Sequence, residues 1–159
     1  MVFMIELIDE LEIARMTLED IDGVLEVEKT AFPIPWPRRS FEEELKNMLA
    51  CYFVAKLGER VVAYMGMWFV MDECHITNIA VHEDFRRQKI ASRLIEKMLE
   101  ECKEHGTSYI ELEVREHNLA AQRLYASFGF QEECIRKEYY KNPDQTRENA
   151  VIMVRDLCG

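Results

Sequence analysis

The sequence predicts an α+β domain, a mixed sheet with helices on both faces, and three observations carry that reading. Strand-like alternation and helix-like periodicity follow one another in the order β-α-α-β-β-β-α-β-α-β-β. One stretch, Ile76 to Leu99, passes from an alternating strand through a short Arg-bearing turn into an amphipathic helix. No internal repeat, low-complexity run or linker-like break interrupts the 159 residues, so residues 1–159 are read as one domain, long enough to bury a proper core.

Glu12 to Met16 reads as a short strand, and Thr17 with Asp20 approximates a capping box for the helix that follows. Leu18, Ile21, Val24, Leu25 and Phe32 mark its apolar stripe, which ends before Pro33. The segment Pro33 to Pro37 cannot be helical, because each proline constrains its own φ and the residue before it. It is either a rigid connector or a loop that offers Ile34 and Trp36 to a ligand. Ser40 with Glu43 reads as a second capping box, opening a short acidic helix to Met48. Ala50 to Leu57, Val61 to Val70 and Cys74 to Val81 form a meander with turns at Gly58-Glu59 and near Met71-Asp72.

In the last of these strands Ile76, Asn78 and Ala80 alternate with Thr77, Ile79 and Val81. From about Gln88, the residues Ile90, Leu94, Ile95, Met98 and Cys102 recur at helical spacing up to Gly106, a suitable C-cap. Tyr109 to Val114 is a strand with Ile110, Leu112 and Val114 on one face and Glu111 and Glu113 on the other. Asn118 caps a helix that carries Ala121, Leu124, Tyr125 and Phe128 and closes at Gly129. Two final strands, Gln131 to Tyr140 and Ala150 to Asp156, flank a polar loop.

Composition narrows the function classes. Lys and Arg number 20 against 30 Asp and Glu, a net charge of −10. Such a surface repels nucleic acid and anionic membrane and favours a basic peptide as partner. The five cysteines are scattered without a C-x-x-C pair, and the four histidines lack H-E-x-x-H spacing, so neither a disulfide framework nor a metal site is expected. No apolar run reaches membrane-spanning length and the N-terminus does not read as a signal peptide, so a cytoplasmic protein is expected. A strand that feeds a helix through a basic turn concentrates backbone N–H groups and positive charge, which suits a pyrophosphate.

The element order and that turn resemble the GNAT superfamily of N-acetyltransferases, whose acetyl-CoA motif runs Gln/Arg-x-x-Gly-x-Gly/Ala. Arg86, Arg87, Gln88, Lys89, Ile90 and Ala91 occupy it, with Arg86 and Ala91 matching and Lys89 in place of the first glycine. AFPIPW at 31–36, NIAV at 78–81, LEVREHNLAAQRLYASFGF at 112–130 and the tail KEYYKNPDQTRENAVIMV are similar to the bacterial ribosomal-protein-alanine N-acetyltransferase branch.

The resemblance implies the GNAT fold, a mixed, mostly antiparallel seven-stranded sheet. It implies acetyl-CoA as cosubstrate, without a metal. The pantetheine arm would pair with the backbone of Ile79, Ala80 and Val81, and the pyrophosphate would sit on the N–H groups of Arg87 to Ser92. Asn118 would contact the cofactor. Glu113 would be the general base and Tyr125 the general acid, with Glu111 the fallback base. Read on its own, Glu113 fits a solvated strand face and Tyr125 fits a core position with its hydroxyl bonded locally. The loop with Ile34 and Trp36, together with Tyr139 and Tyr140, would line a peptide groove. The acceptor implied is the N-terminal α-amine of a small-subunit ribosomal protein that starts with alanine, taken by a monomer or weak dimer. A broader N-terminal or small-amine acetyltransferase and a non-catalytic acyl-CoA-binding module are the alternatives.

Overall fold

A computed structural model describes residues 10–87 and 89–157. The strands are β1 (Glu12–Arg15), β2 (Ala50–Leu57), β3 (Arg60–Val70), β4 (Glu73–Val81), β5 (Tyr109–Arg115), β6 (Gln131–Lys141) and β7 (Arg147–Asp156). The helices are α1 (Ile21–Ala31), α2 (Arg38–Lys46), α3 (Ile90–Glu104) and α4 (Leu119–Ser127). Their order is the expected one, and the strands form one seven-stranded sheet, β1-β2-β3-β4-β5-β7-β6. Every pairing is antiparallel except that of β4 with β5, which is parallel and short.

Two apolar clusters place helices on both faces. Ile90, Leu94, Ile95 and Met98 of α3 pack on Met65, Met67, Ile110 and Leu112. On the other face Ile21, Val24 and Val27 of α1 and Phe41 of α2 pack on Tyr52, Val54, Tyr64 and Ala80. Burying these stripes against the sheet is what stabilises helices of this length.

β4 departs from simple alternation. Gly66 pairs with Asn78 and Met67 with Ile76, so Thr77 is an extra residue, a β-bulge. Ile76 and Ala80 therefore belong to opposite clusters rather than to one face. Thr77 and Asn78 both turn toward the α1–α2 side, where Thr77 Oγ1 lies 3.1 Å from the Tyr52 hydroxyl and Asn78 Nδ2 donates to the Tyr64 oxygen at 2.8 Å. Gly66 makes room for this crossing: a Cβ there would lie 2.3 Å from the Tyr52 ring and 2.8 Å from Thr77 Oγ1.

Element ends differ from expectation for local reasons. The Thr17–Asp20 box closes a 3-10 turn, Leu18–Asp20, ahead of α1, and Leu18 is exposed rather than part of the stripe. Ser40 is not a cap: α2 starts at Arg38 behind an extended Pro37, whose carbonyl accepts the Ser40 N–H at 3.0 Å. α2 also stops at Lys46, short of Met48. α3 starts at Ile90 because Lys89 is left-handed, with φ 62°. β7 starts at Arg147 rather than Ala150, since Asn142 N–H already bonds the Thr146 carbonyl at 2.9 Å and closes a tight hairpin.

Candidate active site

The parallel register of β4 and β5 runs from Glu73–Tyr109 to Ile76–Leu112 and stops. Beyond it β4 continues to Val81 while paired only with β3 among the described residues, so the backbone of Ile79, Ala80 and Val81 presents an edge able to take an extended arm as an added strand. Ile79 and Val81 pack toward α3 and Ala80 toward α1, leaving main-chain groups as what that edge offers.

A 3-10 turn, Glu83–Phe85, follows β4 and leads to Arg86, which is extended. Arg87 and Lys89 then both take positive φ, 64° and 62°. Lys89 thus holds the backbone that glycine at this motif position would adopt freely, and an L-residue does so against a steric cost. The first helical bond of α3 runs from the Arg93 N–H to the Lys89 carbonyl at 3.1 Å, so the N–H groups of Ile90, Ala91 and Ser92 precede it at the helix start, where an anion is stabilised. Gln88 lies outside the described residues.

Arg86, an exposed residue, is partly engaged within the protein. Its Nη2 donates to the Thr30 carbonyl at 2.8 Å and its Nε to the Val81 carbonyl at 3.3 Å. The Glu83 N–H donates to Thr30 Oγ1 at 3.1 Å, so the whole turn is tied to the end of α1. Asn118 caps α4, its Oδ1 accepting the Ala121 N–H at 3.2 Å.

Across the sheet, Glu113 is the first β5 residue past the last position paired with β4. Its side chain is only 10% exposed, with Oε2 2.7 Å from His75 Nε2 and Oε1 3.7 Å from Arg136 Nη1. The hydrogen bond to Glu113 raises the His75 pKa above its ordinary value. Glu111 shares this face, and one ligand atom each from His75, Glu111 and Glu113 lie within 4.8 Å of one another. That spacing could hold a cation, yet the His75–Glu113 bond accounts for the closest pair without one.

Tyr125 is half-buried on α4, its ring 5.9 Å from that of Phe130. Burial pushes its phenol up to about 12, so it stays protonated at neutral pH. No hydrogen bond to another described residue engages that hydroxyl. Tyr140 is also half-buried, and burial followed by the nearby Glu113 carboxylate raises its phenol too. Tyr139 is more exposed and meets Tyr140 edge-on at 4.9 Å. Arg136 lies over Tyr139 at 5.2 Å and Arg115 over Tyr140 at 4.5 Å.

On the opposite side, Trp36 turns inward, 5.5 Å from the Phe41 ring, while Ile34 is 49% exposed. The loop is therefore both a rigid connector and a surface, with Ile34 its outward apolar contact. His75 and Arg136 join the site without having been singled out in the sequence, and Glu28, Tyr64 and Asn78 form a hydrogen-bonded chain from the Trp36 loop to β4. Glu28 did leave a signal, as a carboxylate next to Val27 on the buried stripe of α1.

Residues 21–130 match the family model described as the Acetyltransferase (GNAT) family. The chain belongs to the GNAT acetyltransferase family. A Bacillus subtilis relative is 42% identical over 142 residues, covering 89% of this chain and 92% of its own length. The ribosomal protein bS18-alanine N-acetyltransferase of Haemophilus ducreyi is 36% identical over 137 residues, 85% of this chain and 92% of that one. In three dimensions the acetyltransferase fold superposes on the crystal structure of the ribosomal-protein-S18-alanine N-acetyltransferase from Escherichia coli with a TM-score of 0.85 and 31% identity, over 92% of this chain and 94% of that one.

Proposed function

We propose that residues 1–159 act as a single acetyltransferase domain that transfers the acetyl group of acetyl-CoA to the N-terminal α-amine of a protein, with the N-terminal alanine of the small-subunit ribosomal protein bS18 as the acceptor. The observation that carries it is the parting of β4 and β5 past Ile76–Leu112, with Glu113 at the parting. The relatives named for the same reaction supply the acceptor. Acetyl-CoA brings the acetyl group as a thioester; the β4 edge at Ile79 to Val81 and the N–H groups at the start of α3, with Asn118, would hold it.

The chain's own groups then divide the proton work. An α-amine titrates near about 8 and is mostly ammonium at neutral pH, so Glu113 takes its proton and frees the lone pair. His75 and Arg136 hold the carboxylate in place from two sides. As the C–N bond forms and the C–S bond breaks, a β4 backbone N–H takes the developing oxyanion, Tyr125 gives its proton to the departing sulfur, and the second proton shed by the nitrogen restores the phenol. Ile34 on one side and Tyr139 and Tyr140 on the other line the peptide. The net charge of −10 attracts a basic tail. No helix among the described residues is long and apolar enough to cross a membrane.

The test is CoA release from acetyl-CoA with short basic peptides beginning Ala, Ser, Met or Gly. Release with the Ala peptide above the others is expected. Release only with small free amines, or with no amine at all, overturns the reading in favour of a small-amine enzyme or a binding module.

A further inference from the structure

Glu28 is 1% exposed and lies among Ile21, Val24 and Val27, the apolar residues by which α1 packs on the sheet. A carboxylate buried there needs partners, and burial raises its pKa. Oε1 accepts the backbone N–H of Trp36 at 2.9 Å. Oε2 accepts the Tyr64 hydroxyl at 2.6 Å, and the Tyr64 oxygen accepts Asn78 Nδ2 at 2.8 Å. No ion pair to Glu28 is formed among the described residues. Packing alone would be served as well by an apolar side chain, since replacing a buried charge by a hydrophobe is often neutral or stabilising.

These three bonds run from the loop Pro33–Pro37, through α1 and β3, to Asn78 of β4, which follows the bulged Thr77 and immediately precedes Ile79. They join the proposed wall of the acceptor groove to the strand proposed to hold the thioester. We propose that Glu28 is a positioning residue that fixes the acceptor loop at a set distance from β4, and so sets how deeply the peptide N-terminus enters. The inference rests on the function proposed above. Its physical basis is that small misplacements of reacting atoms are expensive in rate, and that a shared polar chain removes the freedom of the two walls to drift.

The experiment is steady-state kinetics of Glu28→Gln and Tyr64→Phe with an Ala-starting basic peptide, alongside acetyl-CoA affinity by calorimetry. Gln keeps one acceptor oxygen and turns an amide donor toward a hydroxyl that must now choose between partners. Glu28→Gln should raise the peptide KM about tenfold, the equivalent of one lost buried hydrogen bond, with acetyl-CoA affinity and the shape of the pH profile unchanged. Tyr64→Phe, which spares the Glu28–Trp36 bond, should move KM in the same direction and by less.

In a Trp68→Phe background Trp36 is the remaining tryptophan, and its quenching by acrylamide should increase in Glu28→Gln. Folded variants with unchanged peptide KM and unchanged quenching overturn the inference. So does an equal loss of affinity for both substrates. If Glu28→Gln does not fold, Tyr64→Phe alone decides by the same two readings. If the parent enzyme acetylates no N-terminal peptide, the proposed function has failed instead, while the Trp36 quenching still reports whether Glu28 fixes the loop.

Discussion

Along the edge of β4 and the start of α3, the groups proposed to face the cofactor are main-chain ones: the strand edge at Ile79 to Val81 and the N–H groups of Ile90 to Ser92. The one arginine that matches the family motif there, Arg86, spends its guanidinium on two carbonyls of the protein. Around Glu113 the arrangement is reversed. Carboxylate, imidazole, guanidinium and phenol groups converge from β4, β5 and β6, each held by another side chain. Main-chain sites depend on conformation and tolerate changes of side chain, whereas side-chain sites depend on identity. Lys89 takes the left-handed backbone that glycine at this motif position would adopt freely, so a half built of main-chain groups would tolerate it.

The difference can be broken most severely at Glu113. Glu113→Gln should lower kcat by about 10²–10⁴-fold, most at acid pH where the amine is charged, while acetyl-CoA affinity is kept; a pH–rate profile with paired calorimetry checks both. Activity unchanged across the pH range would remove Glu113 from the reaction. Tyr125→Phe should slow turnover by about 10²-fold with little change in melting temperature, because no described partner of its hydroxyl is lost. A protein that merely melts earlier, with kcat intact, would return Tyr125 to the core.

Gly66→Ala tests the bulge that separates the halves. With a Cβ 2.3 Å from the Tyr52 ring, it should destabilise by about 1–3 kcal/mol in urea unfolding. Titration sharpens the contrast further. His75 is raised above 6.5 by Glu113, so the pair stabilises the fold fully below that value and loses its contribution as pH rises through the folded His75 pKa. The gap in melting temperature between the parent protein and Glu113→Gln should therefore be widest just below 6.5 and close toward alkaline pH, and NMR should show the His75 pKa falling in the variant. The smallest effect is at Lys89. Lys89→Gly relieves a left-handed side chain and should stabilise by up to about 1 kcal/mol. Its acetyl-CoA affinity should stay within about threefold, the size of one exposed charge; a larger loss means the ammonium holds phosphate directly.

The element order was legible because each amphipathic segment buries a face, and Ile110, Leu112 and Val114 left Glu113 no choice but the opposite one. The role expected of Asn118 as a cap was legible for a local reason, a short acceptor at a helix start. What alternation could not reveal was the bulge. A single inserted residue, Thr77, reverses the parity of the strand, and nothing in ITNIAV marks where that occurs. The partnership of His75 with Glu113, and that of Glu28 with Tyr64, join residues far apart in the chain and depend on strand register. The left-handed Lys89 was hidden because lysine carries no conformational signature, whereas a glycine would have announced it.

Thr30 sits at the end of α1, its hydroxyl taking the Glu83 N–H and its carbonyl the Arg86 guanidinium, with Pro33 just beyond. These two contacts tie the turn at Glu83–Arg86 to the end of α1, so any restraint a first ligand put on that turn would be passed to the residues that follow α1 and would not be lost again on binding a second. Coupling of two substrate sites by this route would need no moving lid, and slowed amide exchange at Ile34 and Trp36 on adding acetyl-CoA alone would be its signature.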